Sequence, residues 1–273
     1  MYFKTLRKKK LATSYLKIKN IIEDKKTLLC VGLDSDASKI PDKFGDAPKS
    51  LLEFNKRIIE LTSEYTAAYK INFAFYEKYG WRGFKILEET LNLIPENIFT
   101  IADAKRGDIG NTGEQYASSI FDYFNFDSVT VAPYMGEDSV KPFLEYDAKF
   151  TFLLGLTSNK GSQDFQMLDF EGKNWYHKVF EKSAEWGNSK TLGYVTGATH
   201  PQQLEELRNL YPDRVFLIPG VGSQGGKPEE VIIANKNKYS FVNVSRSIIF
   251  AGEDEDIINE CKKFSESLRF DSK

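Results

Sequence analysis

The amino-acid sequence predicts an α/β fold, a single-domain (β/α)8 barrel. Short apolar segments typical of buried parallel strands alternate with segments of helical periodicity, and eight such pairs follow one another. The chain has 273 residues, a length that suits one barrel of this class. An open doubly wound sheet would alternate in the same way. We favour the closed barrel because no G-x-G-x-x-G motif follows the first strand.

The first predicted element is an extra helix ahead of the barrel. Its apolar residues recur at roughly helical spacing: Leu11, Tyr15, Leu16, Ile18, Ile21 and Ile22. The basic residues before it could belong to an organellar transit peptide, but the segment lacks the usual Ser and Arg bias. We therefore interpret residues 1–26 as a helical extension with a basic, solvated start. The whole chain, 1–273, is predicted to be one domain.

The barrel elements follow from alternating apolar runs and amphipathic patterns. Strands are predicted where four or more apolar, often β-branched, residues lie together: 28–34, 67–75, 97–106, 128–133, 150–157, 192–196, 214–219 and 239–246. Helices are predicted where apolar residues recur every three or four positions: 51–61, 81–91, 112–124, 139–146, 175–186, 200–210, 229–236 and 254–268. Residues 158–173 are polar, contain glycine and are too long for an ordinary turn.

Composition excludes several classes of function. The net charge of −2 gives no electrostatic reason to expect nucleic acid or a membrane surface as a partner, and no run of 18 apolar residues occurs. Two histidines and two cysteines leave almost no material for a His/Cys metal site or a Ser-His-Asp triad. Cys30 lies in an apolar strand, so free thiols and a reducing, cytoplasmic location are expected.

The third predicted strand ends in a dense group of charges. Asp103 and Lys105 are two residues apart and should share a face of the strand, while Asp108 lies beyond its end. Such a group could be a solvated ion-pair cluster in a loop. However, polar residues fall at other strand ends too, where a barrel has its active site. These residues are Asp34, Lys70, Asn72, Ser158, Asn159, Gln224, Ser245 and Arg246.

A phosphate site is predicted after strands seven and eight. Residues 220–226 contain four glycines, which let backbone N–H groups approach an anion closely. The loop alone could be a flexible turn, but Arg246 ends the next strand, and a guanidinium suits bidentate phosphate binding. The ligand is therefore expected to be a phosphate ester.

If the charged side chains converge, positive and negative charges alternate among Lys70, Asp103, Lys105 and Asp108. Each lysine would then hold its neighbouring carboxylate ionised, and each carboxylate its lysine. Such an array can repel a substrate anion, stabilise a carbanion and protonate it. Since no metal, flavin or pyridoxal signal accompanies it, we expect chemistry at carbon without a cofactor.

These residues resemble those of the orotidine 5′-phosphate decarboxylase family, in its branch with a longer N-terminus and strand-five loop. The most specific motif runs from Asp103 to Thr112, D-A-K-R-G-D-I-G-N-T. Three further segments agree in order and position: K-I-N-F-A-F-Y-E from Lys70, T-S-N from Thr157, and P-G-V-G-S-Q-G-G from Pro219. The resemblance spans nearly the whole chain and implies a TIM barrel that converts orotidine 5′-monophosphate to uridine 5′-monophosphate in pyrimidine biosynthesis.

The resemblance also implies roles for individual residues. Asp103 would lie against the substrate carboxylate, Lys105 would protonate a vinylic carbanion, and Lys70 and Asp108 would complete the array. The implied substrate contacts are Asp34 and Lys70 to the ribose, Asn72 near ribose or phosphate, Ser158 to the pyrimidine, Gln224 and Arg246 to the phosphate, and Asn159 beside Ser158. The implied assembly is a homodimer, with Asp108 and Thr112 reaching the ribose across the interface.

Three other functions remain open on the sequence. A magnesium-dependent keto-sugar-phosphate decarboxylase or an epimerase would share the barrel and its phosphate corner, and would lose activity in chelator. A Schiff-base aldolase would need a neutral lysine, which flanking carboxylates oppose. A nucleotide-binding relative without turnover would usually lack Asp103 or Lys105, and both are present.

Overall fold

The computed structural model describes residues 13–271 of the chain, and eight parallel strands in this range close into a barrel. The strands are β1 (Leu29–Gly32), β2 (Ala68–Asn72), β3 (Phe99–Arg106), β4 (Ser128–Val131), β5 (Phe150–Leu156), β6 (Asp169–Phe170), β7 (Lys173–Asn174), β8 (Leu192–Thr196), β9 (Phe216–Pro219) and β10 (Ser240–Val244). The barrel order is β1-β10-β9-β8-β5-β4-β3-β2, and β6 and β7 form a separate antiparallel pair. The predicted (β/α)8 barrel is confirmed.

Helices connect the strands and cover the outside of the barrel. They are α1 (Ser14–Lys25), α2 (Lys49–Thr62), α3 (Ala74–Glu77), α4 (Trp81–Leu93), α5 (Gly110–Ser118), α6 (Lys141–Leu144), α7 (Trp175–Ser183), α8 (Pro201–Leu210), α9 (Pro228–Asn235), α10 (Arg246–Ile249) and α11 (Asp254–Ser267). A π-helical turn, Ser119–Tyr123, continues α5. Because helices cover the outer face and side chains fill the interior, the barrel strands are apolar and almost entirely buried.

The extra N-terminal helix is confirmed as α1. Ile18, Ile21 and Ile22 are buried, so this helix packs one apolar face on the barrel. Its first turn is fixed to the start of β4, since Ser14 Oγ donates to Asp127 O at 2.9 Å and Lys17 Nζ lies 2.7 Å from Asp127 Oδ2. The basic residues before Thr13 lie outside the described residues, and a single domain over 1–273 stays a prediction.

Five strands end earlier than the sequence predicts, and at two of them a helix begins where the strand was expected to continue. β2 stops at Asn72, not at residue 75, because Asn72 Oδ1 accepts a hydrogen bond from the backbone N–H of Ala74 and starts the helical turn of α3. β10 stops at Val244, not at residue 246, because Ser245 leaves the extended conformation and Arg246 begins α10. Both corrections move side chains at the mouth of the barrel from strand to helix.

The segment between β5 and α7 has structure of its own. It contains a short 3-10 helix, Lys160–Asp164, followed by the β6–β7 hairpin. Gln166 fixes this segment to the end of β5, because Gln166 Oε1 accepts a hydrogen bond from the backbone N–H of Thr157 at 2.8 Å. None of the helices within residues 13–271 has the length and apolar character needed to cross a membrane.

Candidate active site

The charged residues predicted at the strand ends meet at the mouth of the barrel. Lys70 lies on β2 and Asp103 and Lys105 lie on β3, while Asp34 follows β1. These three strands are neighbours in the barrel, and parallel strands bring their carboxyl ends to the same side. We call Asp34, Lys70, Asp103 and Lys105 the mouth cluster.

Asp103 is the centre of the mouth cluster. Its Oδ2 lies 2.8 Å from Lys70 Nζ, and its Oδ1 lies 2.5 Å from Lys105 Nζ. Lys70 Nζ also lies 3.3 Å from Asp34 Oδ1. Lys70 and Asp103 are buried, whereas about half of the Lys105 side chain, 51%, is exposed. One carboxylate is thus held between two ammonium groups, and one of these can reach solvent or a ligand.

The charges of Lys70 and Asp103 are maintained by their neighbours in the mouth cluster. Burial alone would raise the pKa of Asp103, but Lys70 and Lys105 outweigh it and hold that pKa well below its ordinary value. Burial alone would lower the pKa of Lys70, but Asp103 and Asp34 hold it above its ordinary value. Asp103 and Lys70 therefore stay charged at neutral pH, as the alternating signs predicted.

β3 is irregular where Asp103 and Lys105 lie. The β3–β4 ladder pairs Ala102 with Val129 and then Arg106 with Val131, so β3 has two more residues than β4 between these pairs. Lys105 takes a positive φ of 48°, which is uncommon for a residue with a side chain. Bulges of this kind are frequent beside active sites, where they redirect a side chain.

The glycine-rich loop after β9 packs against Ser247, at the start of α10. Gly220, Gly222 and Gly225 all have positive φ, and Gly226 N donates to Gly220 O at 3.0 Å, which closes the loop on itself. A Cβ on Gly222 would lie 2.6 Å from Ser247 Oγ, so the loop touches the residue after Arg246. The Arg246 side chain is exposed at the first position of α10.

A second polar group joins this loop to the end of β5. Ser158 Oγ donates to Gln224 Oε1 at 2.8 Å, and a Cβ on Gly220 would lie 3.1 Å from Ser158 Cβ. Asn159, the next residue, is exposed and accepts from Thr157 Oγ1 at 2.6 Å. The structure thus brings Ser158 and Gln224 together, as expected for two residues that would contact one ligand.

Two predicted residues lie apart from the mouth cluster. Asp108 accepts a hydrogen bond from the backbone N–H of Ile109, and within residues 13–271 it pairs with no lysine or arginine. Thr112 is exposed on α5. Asn72 also makes only the local bond that ends β2. Within one chain, the array of alternating charges therefore consists of Asp34, Lys70, Asp103 and Lys105.

The structure adds polar residues that the sequence reasoning missed. Thr130 Oγ1 lies 3.1 Å from Asp103 Oδ1, inside the barrel. The sequence pattern could have indicated Thr130, since Ser128 and Thr130 alternate with valines and share a face of β4. No sequence pattern around Gln166 indicated that this residue fixes the loop after β5. Among the described residues, no His, Cys, Asp or Glu side chains group as a metal ion would require, and Cys30 and Cys261 are free and buried.

Comparison with known proteins decides the family. A family model described as "Orotidine 5'-phosphate decarboxylase / HUMPS family" matches residues 27–261, which is most of the chain. The chain belongs to this orotidine 5′-phosphate decarboxylase family. The resemblance read from the motif at Asp103 to Thr112 is therefore confirmed.

Curated relatives of this family match over almost their whole length. A Bacteroides fragilis protein named orotidine 5′-phosphate decarboxylase is 50% identical over 241 residues, 86% of this chain and 88% of that protein. A Flavobacterium johnsoniae protein of the same name is 48% identical over 247 residues, 89% and 90% of the two chains.

Solved structures of the orotidine 5′-phosphate decarboxylase family share the barrel. A Leishmania donovani OMP decarboxylase superposes with a TM-score of 0.84 at 35% identity, covering 94% of this chain and 97% of that one. A Leishmania donovani UMP synthase gives 0.86 at 36% identity. The match covers 94% of this chain but 56% of the UMP synthase, which is the longer protein.

Proposed function

We infer that this chain is an enzyme that decarboxylates orotidine 5′-monophosphate to uridine 5′-monophosphate and CO2, a step of pyrimidine biosynthesis. The family membership gives the reaction class, and one observation carries the assignment of the site. That observation is the Asp103 carboxylate, buried at the barrel mouth between Lys70 Nζ and Lys105 Nζ. A ligand placed on these groups meets a fixed negative charge beside a fixed, partly exposed ammonium.

The reaction we propose needs only groups of this cluster at the reacting carbon. The bond between the ring carbon and its carboxylate breaks, CO2 leaves, and the electron pair stays on the carbon. Asp103 lies beside the substrate carboxylate, and the Lys105 ammonium stabilises the carbanion and gives it a proton. Lys105 then regains a proton from water, which its half-exposed side chain can contact. Lys70 holds Asp103 in place and ionised.

The size of the barrier reduction requires contacts far from the reacting carbon as well. Enzymes lower barriers by about 8–23 kcal/mol. One preorganised hydrogen-bond donor supplies roughly 3–4 kcal/mol. Binding energy from the ribose and phosphate must therefore be used to hold the ring against the cluster and to exclude water. We propose that residues 158–173 close over the base and that residues 220–226 close over the phosphate.

The substrate contacts that we propose follow the geometry of the mouth. Asp34 lies at the edge of the cluster and, with Lys70, would hold ribose hydroxyls. Ser158 would contact the pyrimidine, and its hydrogen bond to Gln224, a residue of the glycine-rich loop, supports this proposal. Gln224 and the exposed Arg246 would bind the phosphate. Asn72 and Asn159 would complete the polar rim around the nucleotide.

We propose that the active unit is a homodimer in which Asp108 and Thr112 act in the partner's site. Asp108 lies outside the mouth cluster of its own chain, and the next residue, Ile109, is apolar and exposed. Gly107 adjoins Ala132, since a Cβ on Gly107 would lie 2.9 Å from Ala132 O. Exposed apolar side chains follow on both segments, Ile109 and Tyr116 after Asp108 and Tyr134 and Met135 after Ala132. Tyr134 is 93% exposed, and apolar patches of this kind mark protein interfaces.

A spectrophotometric assay with orotidine 5′-monophosphate tests the proposed function. We expect the substrate to be converted to uridine 5′-monophosphate and CO2 in equal amounts, with the same rate in EDTA. Activity that disappears in EDTA and returns with magnesium would favour a keto-sugar-phosphate decarboxylase. Borohydride trapping of a substrate adduct on a lysine would favour an aldolase. Absence of conversion by folded protein would contradict the proposal.

A further inference from the structure

The hydroxyl of Thr130 occupies the gap in the β3–β4 ladder that the bulge creates. Thr130 lies on β4 between Val129 and Val131, and these two pair with residues on either side of the bulge. Its side chain is buried, with 1% exposure. The three β3 residues facing it, Asp103 to Lys105, have no regular ladder partner on β4. The hydroxyl therefore faces the reacting pair, Asp103 and Lys105.

Two hydrogen bonds define the orientation of this hydroxyl. The backbone N–H of Lys105 donates to Thr130 Oγ1 at 3.0 Å, and Thr130 Oγ1 donates to Asp103 Oδ1 at 3.1 Å. A backbone N–H can only donate, so the hydroxyl must accept from it. The single hydroxyl proton is then free to point at Asp103, whose ionised carboxylate can only accept.

We propose that Thr130 is a positioning residue for the reaction, holding the Asp103 carboxylate and the Lys105 backbone in one geometry. This inference rests on the proposed function, because it assigns Thr130 a role in the same chemical step. Thr130 reaches Asp103 Oδ1, the same oxygen that Lys105 Nζ contacts at 2.5 Å. It also accepts a hydrogen bond from the backbone N–H of Lys105, a residue that has a positive φ.

The consequence is that one hydroxyl fixes both members of the reacting pair. Without it, Asp103 Oδ1 keeps only the Lys105 ammonium, which is on a long and half-exposed side chain. The Lys105 N–H would lose its partner inside the barrel, and the bulge would be free to relax. Small displacements of a positioned catalytic group are costly, since about 1 Å can reduce the rate by roughly 100-fold.

Substitutions of Thr130 separate its hydroxyl from its shape. Thr130→Val keeps the volume and removes the hydroxyl, while Thr130→Ser keeps the hydroxyl and removes the methyl. Ser128→Ala is the matched control, because Ser128 is a buried hydroxyl on the same face of β4 that donates to Thr100 O at 3.2 Å and touches no member of the mouth cluster. Each variant is compared with the wild type in steady-state decarboxylation of orotidine 5′-monophosphate, which gives kcat and KM, and its thermal midpoint is measured alongside.

We expect Thr130→Val to lower kcat by about 10- to 100-fold with KM changed less than about threefold, since Thr130 positions the reacting groups and does not bind the substrate. Thr130→Ser and Ser128→Ala should stay within about threefold of the wild-type kcat. If Thr130→Val does not fold, Thr130→Ala is compared with Thr130→Ser in the same way.

Three results would overturn the inference. Wild-type kcat in Thr130→Val would show that the hydroxyl is not needed. A loss in Thr130→Ser equal to that in Thr130→Val would show that keeping the hydroxyl does not keep the rate. Equal losses in all variants including Ser128→Ala would show a general weakening of β4. A wild-type protein that does not convert the nucleotide at all would instead contradict the proposed function, so the two failures are distinguishable.

Discussion

Two buried cations at opposite ends of the barrel are held in different ways. Lys70, near the carboxyl ends of the strands, contacts the carboxylates of Asp103 and Asp34. Arg208, near the amino ends of β9 and β10, contacts only neutral acceptors. These are Tyr211 O and Arg214 O through Nη1, and Asn235 Oδ1 and Ser240 Oγ through Nη2. Its guanidinium also lies 3.8 Å above the Phe216 ring.

The two settings move the pKa of each cation in opposite directions. The carboxylates around Lys70 outweigh its burial and raise its pKa, whereas burial dominates at Arg208 and lowers its pKa. Arg208 Nε has no hydrogen-bond partner in the described part of the chain. A cation paired with carboxylates can join a charged site for chemistry. A cation among carbonyls and an aromatic ring instead joins α8, α9 and β10, which serves stability.

Subunit mixing gives the largest change that we expect at the mouth of the barrel. Lys105→Ala and Asp108→Ala should each be inactive alone. If Asp108 acts in the partner's site, a heterodimer has one site with both residues intact, so a random mixture should recover about one quarter of the wild-type activity. Activity is measured after exchange has been verified by mass. Verified exchange with no recovery would place Asp108 in its own chain's site.

Asp103→Asn should lower the free energy of unfolding by about 3–5 kcal/mol at pH 7, because it leaves Lys70 buried with one carboxylate fewer. The pKa of Asp103 is lower in the folded state than in the unfolded state. Its contribution to the free energy of unfolding is therefore complete at pH values above the unfolded-state pKa, and is lost as the pH falls through the folded-state pKa. Urea unfolding at pH 7 and pH 3 checks this. A difference between wild type and variant that does not shrink at pH 3 would contradict it.

Arg246→Ala should weaken the binding of uridine 5′-monophosphate and leave the affinity for uridine unchanged. A hydrogen bond to a charged group is worth about 1.5–3 kcal/mol, so we expect Kd to rise by about 10- to 100-fold. Calorimetric titration with the nucleotide and the nucleoside separates the phosphate contribution. Lys227→Ala serves as a control, since Lys227 is an exposed cation next to the same loop and pairs with Glu230. Equal losses in both variants would indicate a diffuse electrostatic effect.

The Arg208→Met variant tests the second buried cation of the comparison, at the amino ends of the strands. It removes the donor for four acceptors at the amino ends of the strands, and we expect a loss of about 1–3 kcal/mol in the free energy of unfolding. Because Arg208 lies far from the mouth cluster, kcat should not change. Urea unfolding and the decarboxylation assay are run on the same preparation. A fall in kcat with unchanged stability would give Arg208 a functional role.

The sequence predicted the barrel and the core of the site because both depend on local patterns. Apolar runs identified the eight strands, and the two-residue spacing placed Asp103 and Lys105 on one face. What it missed depends on contacts between distant segments. The pairing of Asp34 with Lys70 needs β1 and β2 side by side, and the position of Thr130 needs the bulge of β3. The early end of β2 depends on the Asn72 side chain, which can support a strand or a turn.

The kcat of Lys105→Ala tests most directly the claim that the mouth cluster carries out the chemistry. Loss of a positioned proton donor typically costs about 100- to 10,000-fold, and this lysine also stabilises the carbanion. We expect no turnover above background, with uridine 5′-monophosphate binding still measurable. Turnover close to that of the wild type, in a variant whose fold and nucleotide affinity are intact, would contradict the account.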